Sequence, residues 1–94
     1  MPVGVLILEL AIPGCGSLKE KRGRLKPLLA RLHKEFNVSA AEVDLLDVWQ
    51  SAVIAVAVVS NSSKHNQQAL QKIANWVEQD WRDLDVVNDQ IEIL

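Results

Sequence analysis

Three segments of this sequence combine residue types that could do chemistry. The first is the loop Pro13–Ser17, in which Cys15 stands between two glycines just before a predicted helix. Backbone N–H groups at a helix start can hold an anion, and a thiol there could act as a nucleophile. No histidine lies near Cys15 in the sequence, however, and the glycines equally suit a tight structural turn.

The second segment is a polar hairpin turn in which Asp44 and Asp47 precede Trp49. Carboxylates near an aromatic ring can serve as a general acid or base, but aspartate also favours turns, and tryptophan anchors them. The two histidines, His33 and His65, fall on different predicted helices without a cysteine or paired carboxylate at ligand spacing. The sequence therefore predicts no catalytic residue, no metal site, no cofactor and no enzyme.

The third segment is a basic stretch, since seven of the ten lysine and arginine residues lie within one predicted helix. Six of the twelve acids lie between Glu78 and Glu92, so the net charge of −2 conceals a charge dipole. Clustered cations can bind phosphates, although charged flanks are also what any amphipathic helix needs. The candidate nucleic-acid-binding residues are Lys19, Lys21, Arg22, Arg24, Lys26, Arg31 and Lys34.

Hydrophobic periodicity and turn residues predict the elements that must position these segments. Ser17-Leu18-Lys19-Glu20 has the pattern of a capping box and begins the first helix, which ends at Asn37. The serines at 60, 62 and 63 begin a second helix. The predicted strands are Val3–Ile12, Val38–Leu45, Trp49–Val59 and Leu84–Leu94, and the second helix is Ser63–Asp80.

The order strand, helix, strand, strand, helix, strand is the β-α-β-β-α-β pattern of a ferredoxin-like α+β sandwich. Right-handed crossovers place both helices on one face of a four-stranded antiparallel sheet with strand order 4-1-3-2. No linker or repeat interrupts the pattern, so residues 1–94 are predicted to form a single domain.

The two central strands are apolar on both faces, whereas a sheet covered on one side should alternate apolar and polar residues. The helices can cover only one face, and soluble monomers rarely expose a large apolar patch. We therefore expect a two-fold homodimer through the second face, with a modest exposed apolar surface as the alternative. The candidate interface residues are Val3, Val5, Ile7, Val53, Ala55 and Ala57.

Cysteine content and apolar runs indicate a cytoplasmic protein without a membrane segment. One cysteine cannot form an internal disulfide, which fits a reducing compartment. The longest apolar run, Ala52–Val59, is well short of the ~20 residues that a membrane helix needs.

The site of RNA binding, if RNA is the partner, is predicted to be the first helix. Ferredoxin-like RNA binders of the RRM type stack bases on aromatic residues of their first and third strands. Here the first strand has no aromatic residue, and the third has only Trp49 at its start.

Several segments resemble the YlxP-like family of bacteria, a family of small domains of unknown function. They are VGVL at 3–6, SLKEKR at 17–22, FNVS at 36–39, AEVD at 41–44, DVWQ at 47–50, VVSN at 58–61 and IEIL at 91–94. The resemblance implies a ferredoxin-like fold and a bacterial cytoplasmic protein. Genes of this family commonly lie beside those of translation initiation and ribosome maturation factors, which implies ribosomal RNA or a ribosomal particle as a partner. Gly23 departs from the family pattern, in which a better helix former is usual.

Two functions fit these observations. The first is a homodimeric RNA- or ribosome-associated binding module that uses the basic first helix. The second is a protein-interaction or assembly module that acts through the apolar sheet face without nucleic acid. An enzymatic or small-ligand role for the Cys15 loop or the Asp44 hairpin has the least support, because no nucleophile is paired with a base.

Overall fold

The computed structural model describes residues 1–94 and contains the six predicted elements in the predicted order. They are β1 (Val3–Ala11), α1 (Leu18–Phe36), β2 (Ser39–Asp44), β3 (Ser51–Val59), α2 (Ser63–Asp80) and β4 (Asp85–Ile93). The second helix has the predicted bounds. The strands are one or two residues shorter than predicted, because residues such as Trp49 and Gln50 belong to the turns.

The four strands form one antiparallel sheet in the order β2-β3-β1-β4, which is the predicted order read from the opposite edge. Helix α2 packs on β1 and β4, and α1 lies alongside β2. This arrangement confirms the predicted ferredoxin-like α+β fold. Neither helix is apolar enough over its length to cross a membrane.

Helix α1, which carries the basic stretch, begins and ends where the sequence indicates. Ser17 is the N-cap, and its Oγ accepts a hydrogen bond of 3.0 Å from the backbone N–H of Glu20. Asn37 ends the helix in the left-handed conformation, which asparagine adopts more readily than most residues. The helix continues through Pro27, which is exposed, as is Gly23, the residue whose carbonyl loses a backbone donor there.

The apolar core lies between the helices and one face of the sheet, and a close approach of α2 to β1 at Gly4 completes it. A Cβ atom at Gly4 would lie 2.8 Å from Leu70 Cδ1 and 3.1 Å from Asn66 Cβ, so no larger residue fits without a shift. The buried Asn66 side chain accepts a 2.6 Å hydrogen bond from Ser60 Oγ and donates one to the Pro2 carbonyl. These bonds satisfy its amide inside the core.

Candidate nucleic-acid interface

One side of α1 faces the core through leucines, and the seven predicted cations surround that stripe. Ion pairs divide the cations into two groups. Three of them have an acid partner, and four have none. The distinction separates the cations that an acid of the protein already partners from those that it does not.

Lys21 points inward, so its assignment to the nucleic-acid surface is wrong. Its side chain is 1% exposed, and Nζ donates to the carbonyl oxygens of Leu45 and Val48 at 2.7 Å each. Glu42 Oε2 also lies 2.7 Å from Nζ, off the hydrogen-bonding direction, and forms an ion pair with it. Surrounded by these oxygens, the ammonium holds the turn between β2 and β3 against α1 and cannot meet an external phosphate.

Arg24 is also engaged within the protein. Its Nε lies 3.0 Å from Asp83 Oδ2, and its Nη atoms donate to the carbonyls of Pro13 and Asp83 at 2.7 Å. Hydrogen bonding to the Asp83 side chain is the main reason that the pKa of Arg24 is raised above its ordinary value. The guanidinium therefore fastens α1 to the loops beside it, and few of its donors remain for a ligand.

Arg31 covers an aromatic cluster that sequence reasoning missed. Its guanidinium carbon lies 5.7 Å from the ring centre of Trp76 and 5.9 Å from that of Trp81, while Nη2 lies 3.4 Å from Glu35. Phe36 meets Trp76 edge-on at 5.3 Å. The spacing of Trp76 three residues after Ile73 was the available signal, because it places the ring beside the apolar stripe of α2.

Four exposed cations remain without an acid partner within 4.0 Å, and we call them the basic face: Lys19, Arg22, Lys26 and Lys34. Lys19, Arg22 and Lys26 succeed one another at intervals of three and four residues. They therefore share one side of the helix, with rises of about 4.5 and 6 Å between neighbours. Such a row can contact successive phosphates of a nucleic-acid backbone.

The cysteine and the two histidines, which are the other residues that could do chemistry, each have different neighbours. Cys15 is buried, and its thiol donates to the Ser17 carbonyl at 3.3 Å. His33 Nε2 accepts a 3.1 Å hydrogen bond from the backbone N–H of Ala40, and His65 lies in the first turn of α2. Nowhere in the structure do three His, Cys, Asp or Glu side chains come together as a set of metal ligands.

The sheet face turned away from the helices is here called the open face. Its residue types differ from those on the exposed side of α1. The six predicted interface residues all lie on it and are partly exposed in a single copy. None of the four strands contains a lysine or arginine. Glu9, Asp85 and Glu92 line the side of the open face near β4. A surface of this kind repels phosphates and suits an apolar partner.

The architecture and its surfaces define a ferredoxin-like α+β protein. A de novo designed protein with a ferredoxin fold, solved by NMR in solution, matches it with a TM-score of 0.53. The match covers 100% of this chain and 83% of the designed chain at 12% identity. At that identity the likeness shows the fold alone.

The chain belongs to the family described as protein of unknown function DUF503, whose model matches residues 3–91. It is 37% identical over 76 residues to the uncharacterized protein YlxP of Bacillus subtilis strain 168. That match covers 81% of this chain and 83% of the relative. The YlxP-like resemblance of the sequence is thereby confirmed.

Proposed function

We propose that this chain is an RNA-binding module that contacts the RNA backbone through the basic face of α1. The observation that carries the proposal is the set of four exposed, unpaired cations on one helix. Cations that neutralise phosphates release condensed counterions, and this release drives binding. Ribosomal RNA or a ribosomal particle is the proposed target, from the gene neighbourhood that the family resemblance implies.

Two further features of α1 support the proposal. The only acids of the helix, Glu20 and Glu35, lie 3.5 and 3.4 Å from arginine nitrogens, so they neutralise arginines that lie outside the basic face. Gly23, Pro27 and Ala30 are exposed between the cations. Because their side chains are small, a nucleic-acid backbone can approach the helix closely without a steric clash.

The test is co-sedimentation with ribosomal subunits and with free ribosomal RNA at low and high salt. The variant Lys19→Glu/Arg22→Glu/Lys26→Glu reverses three charges of the basic face and should reduce RNA binding by about 100-fold or more. Lys64→Glu/Lys72→Glu/Arg82→Glu makes the same change in net charge at exposed, unpaired residues elsewhere, and should keep most of the binding. Equal losses in both variants, or no binding of the natural protein at low salt, would contradict the proposal.

A second candidate function, assembly through the open face, is favoured by the apolar composition of that face. We propose that its first partner is another copy of the chain, and that larger protein partners would meet the same surface. Strands of nine residues span about 30 Å, and four strands span about 19 Å, so the face offers at most about 550 Å² per copy. Two copies would bury about 1,100 Å², close to the lower limit of specific interfaces.

The distribution of acids favours one arrangement of the two copies. A two-fold axis parallel to the strands places Glu92 of each copy over the uncharged residues Ser39 and Ala41 of the other, and places Asp44, the acid on this face of β2, over the uncharged Asn88. An axis perpendicular to the strands instead gathers the acids of both copies along one edge, which costs free energy by like-charge repulsion. The first arrangement is therefore the one that we propose.

Sedimentation equilibrium and disulfide trapping test this assembly. Val5→Asp, in the centre of the open face, should shift the mass from dimer to monomer, whereas Ala30→Asp on α1 should not. Gln90 and Ala41 occupy the same row of the sheet at opposite edges. Mixed single variants Gln90→Cys and Ala41→Cys should cross-link to each other, while self-linking of Gln90→Cys would show the perpendicular axis. A monomeric natural protein would exclude the homodimer.

A further inference from the structure

The turn between β2 and β3 is an exposed apolar tip on a rigid base. Four of the eight large hydrophobic residues that the structure leaves exposed lie within residues 43–49, and Trp49 is 49% exposed. The tip does not collapse onto the core, because buried Lys21 holds its backbone at Leu45 and Val48. Leu45 adopts a left-handed conformation (φ 58°), which costs a non-glycine residue free energy and persists where surrounding bonds fix it.

A shallow hollow of about 310 Å³ lies on this tip, lined by Asp47, Val48, Trp49 and Gln50. Its composition matches a flat, polar-edged aromatic ligand. The indole provides a stacking surface, and Val48 adds an apolar contact. The Asp47 carboxylate can accept from amino or imino N–H groups. The Gln50 amide donates one N–H to the Cys15 carbonyl at 3.5 Å and keeps its Oε1 and second N–H for a ligand. A nucleobase has this combination of a π face and a hydrogen-bonding edge.

The hollow lies at the end of the molecule where α1 begins, because the inward side chain of Lys21 in the first turns of the helix reaches the β2–β3 turn. Lys21, which bonds to the carbonyls of Leu45 and Val48, belongs to the same helical turn as Lys19 and Arg22. The side chains of Lys19 and Arg22 are exposed and have no acid partner, so they are free to bind phosphates. Stacking surface and phosphate ligands therefore occur together at one end of the molecule.

We propose that the hollow at Trp49 binds one unpaired base of a single-stranded RNA whose neighbouring phosphates contact Lys19 and Arg22. The proposal rests on the proposed function for its phosphate contacts and adds the class of substrate. Bases in an A-form duplex are stacked on each other and cannot enter the hollow, so single strands, loops and bulges are selected over double helices.

The test measures binding of a fluorescein-labelled single-stranded RNA dodecamer and of the matching duplex by fluorescence anisotropy. The natural protein should bind the single strand more tightly. Trp49→Ala should weaken single-strand binding by about tenfold or more, since stacking on an aromatic residue contributes about 1–3 kcal/mol per base. Trp49→Phe should restore most of the affinity, and both variants should bind the duplex as the natural protein does.

A second readout separates stacking from a change in fold. Single-stranded RNA should quench the indole emission of the natural protein and not that of Trp49→Phe, because Trp76 and Trp81 are partly buried beneath Arg31. Equal affinity of the natural protein and Trp49→Ala for the single strand overturns the inference while leaving RNA binding intact. The exposed tip would then be a candidate contact for a protein partner instead. Absence of binding to either RNA overturns the proposed function as well.

Discussion

The outer side of α1 and the open face of the sheet are both exposed, yet they are built from opposite kinds of residue. The first has four unpaired cations among small residues, and the second has aliphatic side chains without a single cation. An ionic partner recognises the first by long-range attraction that salt screens. An apolar partner recognises the second by burial of surface, which salt hardly changes. The difference teaches that one small domain can present two exposed surfaces of opposite chemistry, each suited to a different kind of partner.

Helix α1 is rich in lysine and arginine, but not all of these residues lie on its exposed side. Lys21 and Lys26 lie on the same helix, five residues apart, but one is buried among oxygens and the other is in solvent. Counting cations in the sequence therefore overestimates the basic face.

The largest effect is expected from the two lysines. Lys21→Met leaves Glu42 and two carbonyls without their cation, and should lower the free energy of unfolding by about 3 kcal/mol or more. Lys26→Met should change it by no more than about 0.5 kcal/mol. Urea unfolding of both variants measures the difference. Similar losses would mean that the inward position of Lys21 contributes nothing special.

The next largest effect is the difference in the salt dependence of binding at the two surfaces. Four phosphate contacts to a single strand give a slope of about −2.8 in log K against log salt, hence about a 50-fold loss of RNA affinity between roughly 50 and 200 mM. The dimer dissociation constant should change by less than about twofold, because apolar burial drives it. Anisotropy titration and sedimentation equilibrium in the same buffers provide the comparison. A strongly salt-dependent dimer would show that charges, not the apolar residues, hold the copies together.

Glu9 allows a milder test of the open face. It is the one charged residue on that face of β1, and dimerisation would bring its carboxylate towards apolar surface. Glu9→Leu should tighten the dimer by about tenfold, since removing a charge that must lose water is stabilising. The same change should leave RNA affinity unaltered, because Glu9 lies on the opposite side of the sheet from α1. A looser dimer would indicate that Glu9 has a polar partner in the interface.

The smallest effects, of opposite sign, are expected from two glycines. Gly23→Ala on the outer side of α1 meets no neighbouring atom and should stabilise the fold by about 0.5–1 kcal/mol, because alanine is the better helix former. Gly4→Ala crowds Leu70 and Asn66 and should destabilise it by about 1–2 kcal/mol. Thermal unfolding followed by circular dichroism distinguishes them. A destabilising Gly23→Ala would show that the outer side of α1 is less open than its exposure indicates.

The sequence by itself determined the fold and the assignment of strand residues to the two sheet faces. Period-two and helical patterns depend on neighbours only a few positions away, and Ser17 and Asn37 stabilise the helix ends locally. The same local signals could not predict the hollow at Trp49, because the position of the β2–β3 turn depends on its hydrogen bonds to Lys21 of α1. They also could not reveal that Arg31 covers two tryptophans from another helix.

Only the tertiary structure decided which cations face solvent. Lys21 lies 24 and 27 residues from the carbonyls that it binds, and Arg24 lies 59 residues from Asp83. Such partners become neighbours only when α1 packs against the β2–β3 turn and the loop before β4. An amphipathic pattern assigns a lysine beside the apolar stripe to the surface, because burial of an isolated charge is prohibitive. The folded chain provides Lys21 with three oxygens, and that local compensation makes its burial possible.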